Sequence, residues 1–406
     1  MKEPYSYSLH VDEELLRTTK EKLRLARFPE ELEDLGDDDW SHGAKVKEVK
    51  RLAQYWLDGF DWRAQEAAIN ADFRQWKVEI DVPDYGPHTF HYVHEPSLSS
   101  DAIPLLFVAG WPGSFLEARE LIKPLISSPN DNTPAFHIVI ASLPGFGPGD
   151  APKNSGFSPS KTAMAFKTLM VDVLGYRKFV TQGGDFGSWV TRIMAHMYPE
   201  HVRACHTNFM VMGPPPFYKN PLVFGRLILN SVLYTKKEQK MLEKAQSFMK
   251  EHMAYAMVQG TKPQSLAFGL GDSPIGLLAW FLEKYHAWTD NEHYSWPDDQ
   301  ILTFVMMHWM QGATPGFRYY KESFQEKGPY SGLNVFGKWC DVPTGYSEFP
   351  KETTSFPLDW IRTSTNLQWF REHDRGGHFA AVEQPELLVQ DMREWFGSQV
   401  VREAMR

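Results

Sequence analysis

Cysteine is scarce in this chain: its 406 residues hold two, Cys205 and Cys340. That number rules out a disulfide framework, and the two do not stand at zinc-site spacing. Cys205 lies in an apolar, strand-like run and reads as inert core, not as a reactive thiol. Positive charge is also short, with 42 Lys and Arg against 51 Asp and Glu, a net charge of −9. This balance argues against nucleic acid or an anionic membrane as the main partner. No run of eighteen apolar residues exists, so no membrane span is expected. The opening residues, Met1-Lys2-Glu3-Pro4-Tyr5, are polar and contain no signal-peptide core. Together these absences predict a soluble, cytoplasmic protein. Apolar residues are plentiful: 42% of the chain is hydrophobic and 14% aromatic, enough for a large core and an apolar pocket.

Hydrophobic periodicity divides the chain into four stretches. Residues 1–75 are helical and charged, an added N-terminal layer. Leu15, Leu16, Leu23 and Leu25 recur among Lys and Arg, residues 46–56 repeat the pattern, and Asp61 caps a helix carried to Trp76. In residues 76–212 the period shifts. Val78, Ile80 and Val82, then Phe90, Tyr92 and His94 beyond the turn Asp84-Tyr85-Gly86-Pro87, predict a hairpin. Buried runs at 103–109 and 136–141 flank a helix at 115–125; a helix at 160–174 and a strand at 202–212 follow. Such alternation predicts an α/β fold, with helices on both faces of a mostly parallel sheet. Pro214-Pro215-Pro216 ends it. Residues 213–330 are helical, notably 275–288 and 301–310, and read as a cap inserted into the core. Residues 331–406 return to the core. The glycine-dotted loop 328–338 leads into strands at 342–347 and 367–372 and a terminal helix at 386–396.

One stretch carries chemistry on its face. The apolar run Lys178-Phe179-Val180 leads into Thr181-Gln182-Gly183-Gly184-Asp185-Phe186-Gly187-Ser188-Trp189, and Trp189, Val190, Ile193, Met194 and Met197 follow at helical spacing. Asp185 therefore sits on a sharp strand-to-helix turn with Gly183 and Gly187 two residues to either side. This resembles the nucleophile elbow of α/β-hydrolases, with aspartate where esterases have serine. The bland alternative is an aspartate capping a helix.

That fold takes its partners in the order nucleophile, acid, histidine. His378, in Asp374-Arg375-Gly376-Gly377-His378-Phe379, follows the last predicted strand and is the histidine candidate. Glu352, in Phe349-Pro350-Lys351-Glu352, follows the penultimate one and is the acid candidate; locally, Glu348 and Asp359 fit nearly as well. Gly110-Trp111-Pro112-Gly113-Ser114 fits an oxyanion loop, in which Trp111 and Phe186 would lend backbone N–H groups. An aspartate nucleophile attacks an sp³ carbon and forms an ester that activated water can cleave; a serine would form a stable ether. The elbow thus points to epoxides or alkyl halides. No cofactor or metal is expected.

Taken in order, these motifs resemble the microsomal-type epoxide hydrolases, most of all their soluble fungal members. Arg27-Phe28-Pro29 and Asp61-Trp62-Arg63 look like that family's N-terminal domain. Leu143-Pro144-Gly145-Phe146-Gly147 joins the motifs already quoted in the core, and Thr261-Lys262-Pro263 and Asp272-Ser273-Pro274-Ile275-Gly276 look like its cap. The resemblance implies Asp185 as nucleophile, His378 as base and Glu352 as the acid behind it. It further implies that Tyr255 and Tyr320 bind the epoxide oxygen, with Tyr319 one residue from the second. Ala109 departs from the pattern, since the family usually has His before Gly110. The expected partners are a small-molecule epoxide and water, with a homodimer left open. Three alternatives stand beside this reading. A haloalkane dehalogenase uses the same Asp and His, but commonly places Trp where this chain has Phe186. An epoxide cyclase or isomerase would replace water by a substrate hydroxyl. A ligand-binding protein on the same scaffold would need no chemistry.

Overall fold

The computed structural model describes residues 2–128, 130 and 133–406, with backbone alone at 332 and 333. Among them, nine strands form one sheet: β1 (Tyr5–Ser6), β2 (Gln75–Val82), β3 (Gly86–Glu95), β4 (Ile103–Val108), β5 (Phe136–Ala141), β6 (Phe179–Gly183), β7 (Val202–Thr207), β8 (Cys340–Glu348) and β9 (Thr365–Glu372). Their spatial order is β1-β2-β3-β5-β4-β6-β7-β8-β9. The β2–β3 hairpin and its neighbours are antiparallel, and from β5 to β9 every pairing is parallel. From β4 the chain moves one way to β5 and then the other way to β6. The crevice between the carboxyl ends of β4 and β6 is therefore a topological switch point, where open α/β sheets bind ligands. The strands flanking it are covered on both faces, which is why Leu105, Leu106, Val108, Phe179 and Val180 are all fully buried.

The N-terminal layer consists of α1 (Glu13–Arg24), α2 (Val46–Asp58) and α3 (Trp62–Asp72). Asp61 caps α3, its carboxylate accepting from the Ala64 N–H at 3.1 Å. The helix stops at Asp72, short of Trp76: Phe73 is already extended, and the alternating pattern of β2 claims Gln75 onward. Strand β1 was not signalled, since two residues carry no period. Three core helices follow, α4 (Arg119–Ile126), α5 (Pro159–Thr168) and α6 (Asp185–Met197). The predicted 115–125 helix begins as a 3₁₀ turn, and the 160–174 helix ends in a π-type turn. Strand β7 stops at Thr207 rather than at 212.

Among the described residues, eight α-helices lie within residues 213–330, where the sequence predicts the cap: α7 (Pro221–Ile228), α8 (Asn230–Leu233), α9 (Lys236–Ser247), α10 (Ala254–Thr261), α11 (Pro263–Leu270), α12 (Pro274–Trp288), α13 (Asp298–Trp309) and α14 (Thr314–Gln325). The N-terminal layer grips it. The Trp309 indole donates to Thr19 at 2.7 Å, Tyr55 Oη donates to Asp299 at 2.8 Å, and Arg51 pairs with Asp298. The loop at 328–338 contains a short helix, Gly332–Val335, and a last helix, Gln399–Met405, follows the predicted terminal one. Cys205 is buried, and burial pushes its thiol up to about 12, in keeping with an inert core residue. Among the described residues no single helix is long and apolar enough to cross a membrane.

Candidate active site

Asp185 opens α6 at the carboxyl end of β6 with φ at +44°, a left-handed conformation that side chains other than glycine seldom adopt. The flanking glycines leave room for that turn. A Cβ on Gly183 would lie 2.4 Å from the Gly187 backbone, and one on Gly187 would lie 1.8 Å from the Val108 carbonyl oxygen. The packing of α6 against β4 thus forces the carboxylate out over the switch-point crevice, and it retains partial exposure there. Its Oδ1 accepts the Trp111 N–H at 2.9 Å. Phe186 follows in the first turn of α6, its ring centroid 4.6 Å from that of Tyr320.

His378 reaches Asp185 from the loop after β9. Its Nε2 lies 3.6 Å from Asp185 Oδ2, and its Nδ1 meets Glu352 Oε1 at 2.6 Å. Of the three carboxylates named from the sequence, Glu352 is the one that meets His378. Glu348 stays on β8, where burial pushes it up to about 7, and Asp359 pairs with Arg226. Burial alone would depress the His378 imidazole. Glu352 and Asp185 override it and hold the pKa well above the ordinary histidine range. The loop is clamped from above, a part of the site that motif reading missed. The His378 N–H donates to the Trp288 carbonyl at 2.9 Å and the Gly376 N–H to Asp290 at 2.8 Å. Glu383 accepts from the backbone N–H groups of Asp290 and Phe379 at 2.8 and 2.9 Å. Nothing in the local sequence singles out Asp290 or Glu383; their burial marks them.

The roof comes from the cap. Tyr255 on α10 and Tyr320 on α14 are both buried, their ring centroids 5.8 Å apart. The Trp111 ring stacks on Tyr255 at 5.2 Å and meets Tyr320 edge-on at 5.5 Å, so one residue aims its N–H at Asp185 and braces both phenols. Burial, then the charge of Asp185, raises the Tyr255 hydroxyl; burial, Tyr255 and Asp185 raise that of Tyr320. Both are therefore neutral hydrogen-bond donors at physiological pH. Tyr320 Oη is buried and interacts with the Tyr255 hydroxyl, whereas the Tyr319 hydroxyl donates to Thr162 at 3.0 Å. Lys284 is a further residue the motifs did not reveal. It lies buried, with its ammonium 4.5 Å from the Tyr255 ring centroid. A lysine inside the apolar run of α12 was the available signal.

The chain order, with Asp185 after β6, Glu352 after β8 and His378 after β9, makes this a hydrolase of the α/β-hydrolase fold. Residues 103–228 match the model of the alpha/beta hydrolase fold, and residues 4–118 match the model described as epoxide hydrolase N terminus. A relative from Stigmatella aurantiaca is 35% identical over 96% of this chain and 84% of its own length. Epoxide hydrolase 1 of Sus scrofa is 31% identical over 96% of this chain and 88% of its own length. The solved structure of Aspergillus niger epoxide hydrolase superposes with a TM-score of 0.83 at 29% identity, covering 99% of this chain and 97% of that one. The chain belongs to the epoxide hydrolase family.

Proposed function

We propose that this enzyme converts an epoxide to a vicinal diol through a covalent ester on Asp185. The observation that carries the reading is the facing of an elbow carboxylate by two phenols that burial keeps neutral. A carboxylate supplies the nucleophile for an sp³ carbon, and the phenols supply protons to the oxygen that leaves. In this scheme Trp111 holds Oδ1 and Oδ2 attacks. The epoxide C–O bond breaks as the Oδ2–carbon bond forms, and the alkoxide takes a proton from Tyr255 or Tyr320. Ester formation cancels the Asp185 charge and with it part of what keeps His378 protonated. The imidazole then becomes a base, draws a proton from water, and the hydroxide attacks Cγ. The Cγ–Oδ2 bond breaks, the imidazolium protonates the leaving alkoxide, and the diol departs with an oxygen that belonged to Asp185; the proton of the new Asp185 carboxyl returns to the tyrosinate. Donors of this kind suit an oxygen leaving group, which favours epoxides over alkyl halides.

The test is one turnover with enzyme in excess in oxygen-18 water. The diol should carry no label, and the peptide containing Asp185 should gain it. Labelled diol on the first turnover would mean direct attack by water and would overturn the covalent reading. Glu352→Gln probes the other half of the scheme. It removes the charge that stabilises the imidazolium, so ester hydrolysis should slow by roughly 10²-fold or more while ester formation changes little. Equal slowing of both phases in stopped-flow traces would remove Glu352 from that role.

A further inference from the structure

Where α10, α11 and α14 meet the loop after β5, a cleft of about 410 Å³ opens that the reaction above leaves unused. Pockets that hold a small organic molecule run to roughly 300–1,000 Å³. The floor of the cleft is apolar: Pro144, Phe157, Pro263, Pro315 and Tyr319 are all buried. Its rim is cationic: Lys153, Lys262 and Arg318 are exposed, and Lys321 is half-buried. One acid lines it, Glu322. That carboxylate is engaged, its Oε2 accepting the Gly156 N–H at 2.8 Å.

Four cations against one acid is unusual in a chain with 42 Lys and Arg against 51 Asp and Glu. None of the four forms an ion pair among the described residues. Arg318 donates to the Gln264 side-chain oxygen at 2.8 Å and Lys321 to the Thr261 carbonyl at 3.0 Å, both neutral acceptors. A second large cleft shows the ordinary arrangement. Arg17 and Arg63 line it, Arg17 paired with Glu14 and Glu21 and Arg63 with Glu13 and Glu66. Cations without counter-charges above an apolar floor focus a positive potential into the cleft. Its shape is also fixed in advance. The Tyr85 hydroxyl meets both the N–H and the carbonyl of Asn154 at 3.1 Å, the Ser158 hydroxyl donates to Glu326 at 2.5 Å, and Thr162 holds the Tyr319 hydroxyl.

We propose that this cleft is a second ligand site, for an organic anion. An aromatic or short aliphatic body lies on the proline and tyrosine floor, and a sulfonate, phosphate or carboxylate head meets Lys153, Lys262, Arg318 and Lys321. A guanidinium offers such a head two parallel N–H bonds, and the lysines surround it with charge. A neutral molecule with the same body gains the floor alone, so charge sets the preference. The site borders the catalytic machinery without entering it. Lys262 directly follows α10, which carries Tyr255, and Arg318 and Lys321 bracket Tyr319 and Tyr320 on α14. The Tyr319 ring, part of the floor, packs on Phe186 with centroids 5.0 Å apart. A bound anion therefore joins the two phenol-bearing helices to the core loop through its charge.

The experiment takes naphthalene-2-sulfonate as the anionic probe and naphthalene-2-methanol as its uncharged counterpart, each titrated calorimetrically into the full chain at low salt. The sulfonate should bind once per chain, and the alcohol at least roughly 10-fold more weakly, the scale of one lost charge-assisted hydrogen bond. Lys262→Met and Arg318→Met should each weaken the sulfonate by a similar factor. Added salt should weaken it in the wild type, because exposed charges are screened. If a variant does not fold, the wild type decides. Labelling with acetic anhydride and peptide mass mapping should show Lys153 and Lys262 protected when the sulfonate is bound. Equal affinity for sulfonate and alcohol overturns the proposal, as does unchanged affinity in both variants or the absence of protection at Lys153 and Lys262. Each of these results places the probe on another apolar surface or in the catalytic chamber. A sulfonate that does not bind at all overturns it too. No epoxide enters the experiment, so its outcome is independent of the covalent reading.

Discussion

His378→Ala is expected to stop the reaction halfway, with every enzyme molecule carrying substrate on Asp185. In the proposed scheme the imidazole takes no part in the first bond change, since Oδ2 attacks and the tyrosines protonate. In the second the scheme makes it the base, held by Glu352 at 2.6 Å with Nε2 facing Asp185 at 3.6 Å. Removing the base should slow ester hydrolysis by roughly 10²- to 10⁴-fold, the range for general-base catalysis. The protein should gain the full mass of the epoxide, and the peptide that gains it should contain Asp185. Ester formation should also respond to pH less steeply than in the wild type, in which the imidazolium shields Asp185 and weakens it as a nucleophile. A variant that accumulates no adduct yet has lost all turnover would place His378 in the first step instead.

How far these roles could be read without coordinates depends on how local their signals are. The elbow was legible because its constraint is local: a strained carboxylate needs small residues two positions away on each side, and Gly183 and Gly187 record that need in order. Likewise the parallel strands next to the switch point, buried on both faces, show up as continuous apolar runs, and β5 matched its run residue for residue. Assignments that depend on distant partners were less secure. Glu352, Glu348 and Asp359 look alike along the chain, and only His378 and Arg226, far off in sequence, separate them. Tyr319 and Tyr320 differ by one helical position, and Thr162 on α5 is what occupies the first hydroxyl. Asp290 and Glu383 carry no local mark of their place in the site, because a sequence window cannot report burial. Element ends suffered for a related reason: the helical period of α3 runs on to Trp76, but pairing with β3 draws that residue into the sheet.

The tyrosines should give the second large effect, and a selective one. Tyr255 and Tyr320 stand on separate cap helices and reach Asp185 from above, braced by the Trp111 ring between them. Each phenol is kept neutral by burial, so each can donate as negative charge develops on the opening epoxide. Replacing either by Phe removes a donor and little volume. Ester formation should then slow by roughly 10- to 10³-fold, as when one oxyanion donor is lost. The double variant should lose more than either single one, though less than the product, because two donors on one oxygen partly cover for each other. Hydrolysis of an ester already formed should hardly change, because in the proposed scheme that step runs through His378 and water. Tyr319→Phe serves as the control: it breaks the bond to Thr162 and should cost stability rather than rate. Pre-steady-state traces separate the phases. If both single variants form the ester at the wild-type rate, or if Tyr319→Phe slows it as much as Tyr320→Phe does, the two-phenol clamp is wrong.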